Sequence, residues 1–206
     1  MKLNDYKYVH ITPATGDIVT DVNSFLLLNN KPKTLDHVIN VANTNSKIAK
    51  KYGLDRDICI LCGYLHDISV VIKPDDMLAY MIENNFFIDD SERKYPFILH
   101  QRISRLIAKD FFNINNETIL SAIECHTTLK SYPSQYDMAL FLADKLSWDQ
   151  ERTPPFYDIV IEALSFSLEK ACLAYQNYVI NNGMILYPHS WLIESKTSLE
   201  RALCIK

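Results

Sequence analysis

Glycine is scarce, at 4 of 206 residues, too few to punctuate a turn-rich β-fold. No apolar run nears the roughly 20 residues that a membrane-crossing helix requires. An excess of positive charge is also lacking. The formal net charge is −4, which removes the electrostatic footprint of nucleic-acid binding, although one local basic group can still meet a phosphate. The opening MKLNDYKYVH does not have the basic-then-apolar layout of a secretory leader. The five cysteines, Cys59, Cys62, Cys125, Cys172 and Cys204, offer one C-x-x-C inside an apolar helical pattern and no second pair to complete a zinc site. Buried free thiols in a reducing, cytoplasmic compartment are therefore expected, with no nucleic-acid or membrane partner.

What remains is an ordinary globular composition, 48% hydrophobic and 22% charged. Residues 34–52, TLDHVINVANTNSKIAKKY, place Leu35, Val38, Ile39, Ala42 and Ala49 at helical spacing, and Gly53 follows as a stop. Ile58, Leu61, Cys62 and Leu65 make a second amphipathic helix that delivers His66 and Asp67 at its end. A short helix begins at Pro74, and another carries His100 beside Leu99, Ile103, Leu106 and Ile107. Ile119, Ile123 and His126 share one stripe, and a helix over 135–147 holds Asp144 among Phe141, Leu142 and Leu146. One long helix is predicted from Tyr157 to Asn181, and a last one after Pro188. The fold class is all-α, a helical bundle over 34–206. Residues 1–33, which mix β-branched residues with a Thr-Gly turn, form an N-terminal arm expected to be a short hairpin or irregular.

A single histidine on an apolar stripe is more often a hydrogen-bonded core residue than a ligand. The His66-Asp67 dipeptide says little alone, since chance gives roughly 0.5 such pairs in a chain of this composition. The ordered set says more. His37, His66-Asp67, His100, His126 and Asp144 each fall on a separate predicted helix. Asp144 has apolar neighbours, and adjacent Lys145 is expected to face another direction on the helix. A buried carboxylate without a partner costs several kcal/mol, and a shared cation would satisfy all these groups together. Imidazole with carboxylate suits iron, manganese, zinc or nickel rather than calcium.

This order, H…HD…H…H…D on consecutive helices, resembles the HD superfamily of metal-dependent phosphohydrolases. More narrowly, LDHVINVANTNSKIAKKYGLD, LHD, CHTT, LADKLSWDQE and PPFYDIV resemble the YqeK-like branch, from residue 34 to the C-terminus. The resemblance implies an HD-domain bundle that hydrolyses diadenosine tetraphosphate symmetrically to two ADP by a metal-activated water. His37, His66, Asp67 and Asp144 would hold one divalent transition-metal ion, iron as first choice. His100 and His126 would serve a second ion with Asp67 bridging, or phosphate oxygens if only one ion binds. His66 and Asp67 would be the catalytic pair, with Asp67 orienting the nucleophile. Thr127, Thr128, Lys73 and Arg152 are the expected phosphate contacts. The hydroxyls could equally make helix-end hydrogen bonds, and Arg152 could be a solvated loop residue.

Two departures bear on substrate. Relatives often carry Lys where Val70 stands, and Lys73 replaces it only if the loop bends back. They often carry Gly where Leu129 follows the two threonines. Both positions are expected near the substrate face. The partner implied is a nucleotide, with a homodimer left open. The alternatives are an HD phosphohydrolase of mononucleotides and a catalytically weak nucleotide-binding or regulatory protein.

Overall fold

Start and stop signals written into the chain set the helices. The computed structural model describes residues 1–11, 13–147 and 153–204. Among them the regular structure is eleven α-helices and three 3-10 turns, with no strand. The helices are α1 (Ile18–Leu28), α2 (Pro32–Tyr52), α3 (Arg56–Leu65), α4 (Pro74–Glu83), α5 (Asp90–Lys94), α6 (His100–Asp110), α7 (Glu117–Glu124), α8 (Gln135–Leu146), α9 (Tyr157–Leu164), α10 (Leu168–Asn181) and α11 (Ser190–Cys204). Pro32 and Pro74 open α2 and α4, where a missing N–H loses nothing. Asp55 and Asn116 cap α3 and α7, and Ser134 makes a reciprocal box with Asp137 at the start of α8. Gly53, at φ 68°, takes the left-handed turn that ends α2. No helix among the described residues is long and apolar enough to cross a membrane.

Helix α2 packs on α3 and α8, while α7 bridges α3, α6 and α8. Val38, Val41, Cys62, Leu65, Leu140 and Phe141 are fully buried between them. Gly63 sets how close α2 and α3 can come, because a Cβ there would lie 2.4 Å from the Ala42 Cα. Cys59, Cys62, Cys125 and Cys172 are free and buried, as expected of the isolated C-x-x-C. Burial pushes the Cys59 thiol up to about 12, which leaves it inert.

Two expectations are corrected. Among the described residues the arm is irregular as far as Asp17, one of its two expected forms, apart from a 3-10 turn at Leu3–Asp5, but from Ile18 it becomes a helix, α1. Asp17 caps this helix by accepting from the Thr20 N–H, and Val22, Phe25 and Leu26 are buried on one face. Helical spacing of these three overrides the β-preference of the residues around them. The single helix over 157–181 is in fact two, α9 and α10. Ser167 turns its side chain onto the Lys170 N–H and starts a new helix.

Candidate metal centre

Five segments meet at one point. His37 comes from the first half of α2, and His66 and Asp67 from just beyond α3. His100 opens α6, His126 follows α7, and Asp144 lies in the last turn of α8. Three of the imidazoles are fixed by one device. His66, His100 and His126 donate Nδ1–H to the carbonyls of Gly63, Phe97 and Ile123, three residues earlier, at 2.7, 2.7 and 2.8 Å. A carbonyl only accepts, so each Nδ1 carries the proton and each Nε2 of the neutral ring presents a lone pair to the interior.

Those lone pairs face one another. His100 Nε2 and His126 Nε2 are 2.9 Å apart, and His66 Nε2 lies 3.3 Å from His37 Nε2. Asp67 turns Oδ1 toward His100 and His126, 3.5 Å from each Nε2, and Oδ2 toward His66 Nε2 at 3.6 Å. Its Oδ1 is buried and makes no hydrogen bond. Asp144 Oδ1 is 3.2 Å from His37 Nε2 and 3.8 Å from His66 Nε2. Two groups of donor atoms, His37-His66-Asp67 and Asp67-His100-His126, each lie within 4.8 Å of one another and share Asp67. Acceptors this close repel unless a cation stands among them. The nitrogen and oxygen donor set therefore fits divalent metal.

An HD domain model matches residues 34–149. The chain belongs to the HD domain family. It is 38% identical over 150 residues to an uncharacterised protein in the pepC 5′ region of Lactococcus lactis subsp. cremoris, covering 73% of this chain and 76% of that one. It is 31% identical to a symmetrical bis(5′-nucleosyl)-tetraphosphatase of Staphylococcus aureus, over 61% of this chain and 63% of that enzyme. Its fold is similar to the crystal structure of a predicted HD superfamily hydrolase involved in NAD metabolism from Clostridium acetobutylicum. That likeness has a TM-score of 0.79 and 24% identity, over 89% of this chain and 97% of the other.

Charge around the HD cluster is balanced locally. Burial by itself would raise the Asp67 carboxyl, but the His66, His126 and His100 rings reverse this and hold it far below the usual carboxylate range. Burial lowers His66 and takes His126 down to about 4, so both rings are neutral donors near pH 7. Asp144 is likewise held down, against its burial, first by Lys145 and then by His37. Lys145 does not face away as its position on the helix implied. Its ammonium lies 2.6 Å from Asp144 Oδ2 and 3.4 Å from the His126 carbonyl. Four methylenes let the charge reach back to the neighbouring carboxylate.

The expected phosphate contacts divide. Thr127 Oγ1 lies 3.0 Å from His100 Nε2, at the cluster. The Thr128 hydroxyl is turned to the Gln101 side chain, at 3.1 Å from its Nε2. Lys73 is elsewhere, its ammonium 4.7 Å from the Tyr8 ring centroid, and Lys73-Pro74 begins α4 rather than bending back. Arg152 lies outside the described residues. Leu129 is fully buried, so its side chain faces the core rather than a substrate, while its backbone has φ 60°. Three contributors were missed. Lys33 and Lys145 line a polar cavity of about 390 Å³ with His37, Asp67 and Asp144. Buried Gln101 accepts from the Thr127 and Thr128 N–H groups at 3.1 and 3.3 Å and so holds the His-Thr-Thr turn. The signal for Gln101 was an amide beside His100 at the edge of an apolar stripe.

Proposed function

We propose that this HD protein is a metal-dependent phosphohydrolase of nucleotide polyphosphates, cleaving diadenosine tetraphosphate symmetrically into two ADP. The observation that carries this reading is the pair of donor groups sharing Asp67, open to a cavity that also holds Lys33 and Lys145. Family membership and the likeness to the staphylococcal tetraphosphatase support it. In this proposal His37, His66, Asp67 and Asp144 hold one divalent ion, and His100 and His126 hold a second with Asp67 between them. Iron is the first choice, with manganese, zinc or nickel as alternatives. Ions bound there lower the pKa of water and neutralise charge on phosphoryl oxygens.

The remaining work belongs to the chain. Asp67, shared by the two groups of donors, orients the attacking water. Lys145 and Lys33 place positive charge along the polyphosphate and take over from the lysine absent at Val70. Thr127 offers its hydroxyl at the His100 side.

The test joins metal analysis with a hydrolysis panel. One to two equivalents of transition metal per chain are expected. ADP should dominate from diadenosine tetraphosphate and exceed any product from mononucleotides. Asp67→Ala should lower kcat/KM about a thousandfold, roughly 4 kcal/mol of barrier. A chain that takes up no metal even on reconstitution, or that cleaves mononucleotides preferentially, overturns the reading.

A further inference from the structure

A second cavity, about 350 Å³, adjoins the cluster on its Thr127 side. Thr127 and Lys145 line it, and both touch the donor cluster: Thr127 Oγ1 stands 3.0 Å from His100 Nε2 and the Lys145 ammonium 2.6 Å from Asp144 Oδ2. The rest of its wall is chemically different. Tyr95 and Phe97 come from the turn before α6, and Leu186 and Tyr187 from the α10–α11 connection, outside the matched HD segment. The Tyr95 ring sits between Phe97 at 6.3 Å and Tyr187 at 6.4 Å, centroid to centroid. Phe97 is 56% exposed, Tyr187 48% and Leu186 82%. Scattered exposed apolar residues need no explanation, but several gathered at the mouth of one cavity mark a ligand site.

The segments that flank the wall are tied down. Ser190 N–H donates to Asp89 at 3.2 Å, and the Trp191 N–H donates to His189 Nδ1 at 3.0 Å. Arg102 donates to buried Glu92 at 2.8 Å, and the Lys94 ammonium lies 5.3 Å from the Tyr187 ring centroid. Such preorganisation lowers the ordering cost of binding.

Lys145 lines both this cavity and the polar one that holds Lys33 and Asp67. A ligand crossing Lys145 therefore places an anionic part on one side and a flat apolar part on the other. That is the layout of a nucleotide. We propose that the aromatic cavity binds the nucleobase and ribose of one half of the substrate, and that Tyr95, Phe97 and Tyr187 set the preference for nucleoside-bearing over bare polyphosphate. The proposal rests on the phosphohydrolase reading and adds where the nucleoside sits. At the small end of the usual ~300–1,000 Å³ range, the cavity takes one nucleoside, and the other half of a dinucleotide extends past Lys33. Stacking grips any base by its face, so adenine and guanine are held alike.

Calorimetry on the full chain, with ADP and inorganic tripolyphosphate as paired probes, tests this. The doubly substituted Phe97→Ala/Tyr187→Ala protein should bind ADP at least about tenfold more weakly, the order expected from losing base stacking. Its tripolyphosphate affinity should stay within about twofold of wild type. Tyr187→Phe, which keeps the ring, should bind ADP as wild type does. Unchanged ADP affinity in the double variant, or an equal loss for both probes, overturns the assignment. Binding does not require turnover. If diadenosine tetraphosphate is not cleaved but the ADP-specific loss appears, the function above fails while the nucleoside cavity stands.

Discussion

Asp67 does with one side chain what otherwise needs two. Oδ1 is turned toward His100 and His126 and Oδ2 toward His66. Asp67→Asn keeps the shape but removes the charge and converts one oxygen into a donor. Metal content measured by elemental analysis should fall by at least half, with the helical circular-dichroism signal retained. Lys145 is the residue whose role was least legible. A 100° step along a helix tells where Cβ points, and says nothing of where a flexible ammonium ends. Lys145→Met keeps the stem and removes the charge, which leaves Asp144 without its main counter-ion. The expected outcome is a tenfold or greater loss of kcat/KM, about 1.4 kcal/mol, measured on diadenosine tetraphosphate. Leu129 presents two opposed effects. Its φ of 60° costs about 1–2 kcal/mol for a non-glycine residue, whereas truncating a fully buried leucine costs roughly 3–5 kcal/mol. Burial wins, so Leu129→Gly should lower stability by about 2 kcal/mol in urea denaturation.

Helix α3 reaches the site only because Gly63 lets it lie against α2. A methyl group there would meet the Ala42 Cα at 2.4 Å and the Ala42 nitrogen at 2.5 Å, backbone atoms that cannot swing aside. Gly63 also supplies the carbonyl that orients His66. Gly63→Ala should therefore separate His37 from His66, destabilise the fold by about 3 kcal/mol and reduce metal retention, both measurable by thermal melting with and without added metal. The elements that carry the site were readable because each is an amphipathic helix long enough to show a period. α2 and α3 begin and end within a few residues of their signals. Helix α5, with five residues, is too short for periodicity to register. The break between α9 and α10 was hidden because a serine reads as neutral until its hydroxyl is seen on the Lys170 N–H. Helix α1, inside an arm read as hairpin or irregular, was hidden for a related reason: β-branched residues record a preference that tertiary burial of Val22, Phe25 and Leu26 overrides.

Across the whole molecule, the donor residues span His37 to Asp144 and converge only through the packing of α2, α3, α6, α7 and α8. Their order was legible along the chain, and the family resemblance already implied a shared Asp67; the facing Nε2 atoms needed three dimensions. The aromatic cavity was not legible, since Phe97 and Tyr187 are 90 residues apart in sequence and lie on no periodic stripe. What joins these distant parts is a second, buried ionic cluster of Asp89, Glu92, Arg102 and His189, tying α5 and α6 to the start of α11. Burial would raise both carboxyls. Hydrogen bonds from Ser91 and Ser190, with His189 nearby, bring Asp89 below its ordinary 3.8. His189 and Arg102 bring Glu92 below its ordinary 4.5. A carboxylate whose folded pKa is depressed adds stability that is complete above its unfolded value and disappears as pH falls through the folded one. The stabilisation should therefore be constant from pH 7 down to about 5 and decline below 4.5 as these groups protonate. Glu92→Gln removes the charge at every pH and leaves half-buried Arg102 without its carboxylate partner. It should cost about 3 kcal/mol at pH 7, and the gap from wild type should narrow steadily below pH 4.5 in urea denaturation measured across pH. A gap of constant size down to pH 3 would show that ionisation of Glu92 does not set its contribution.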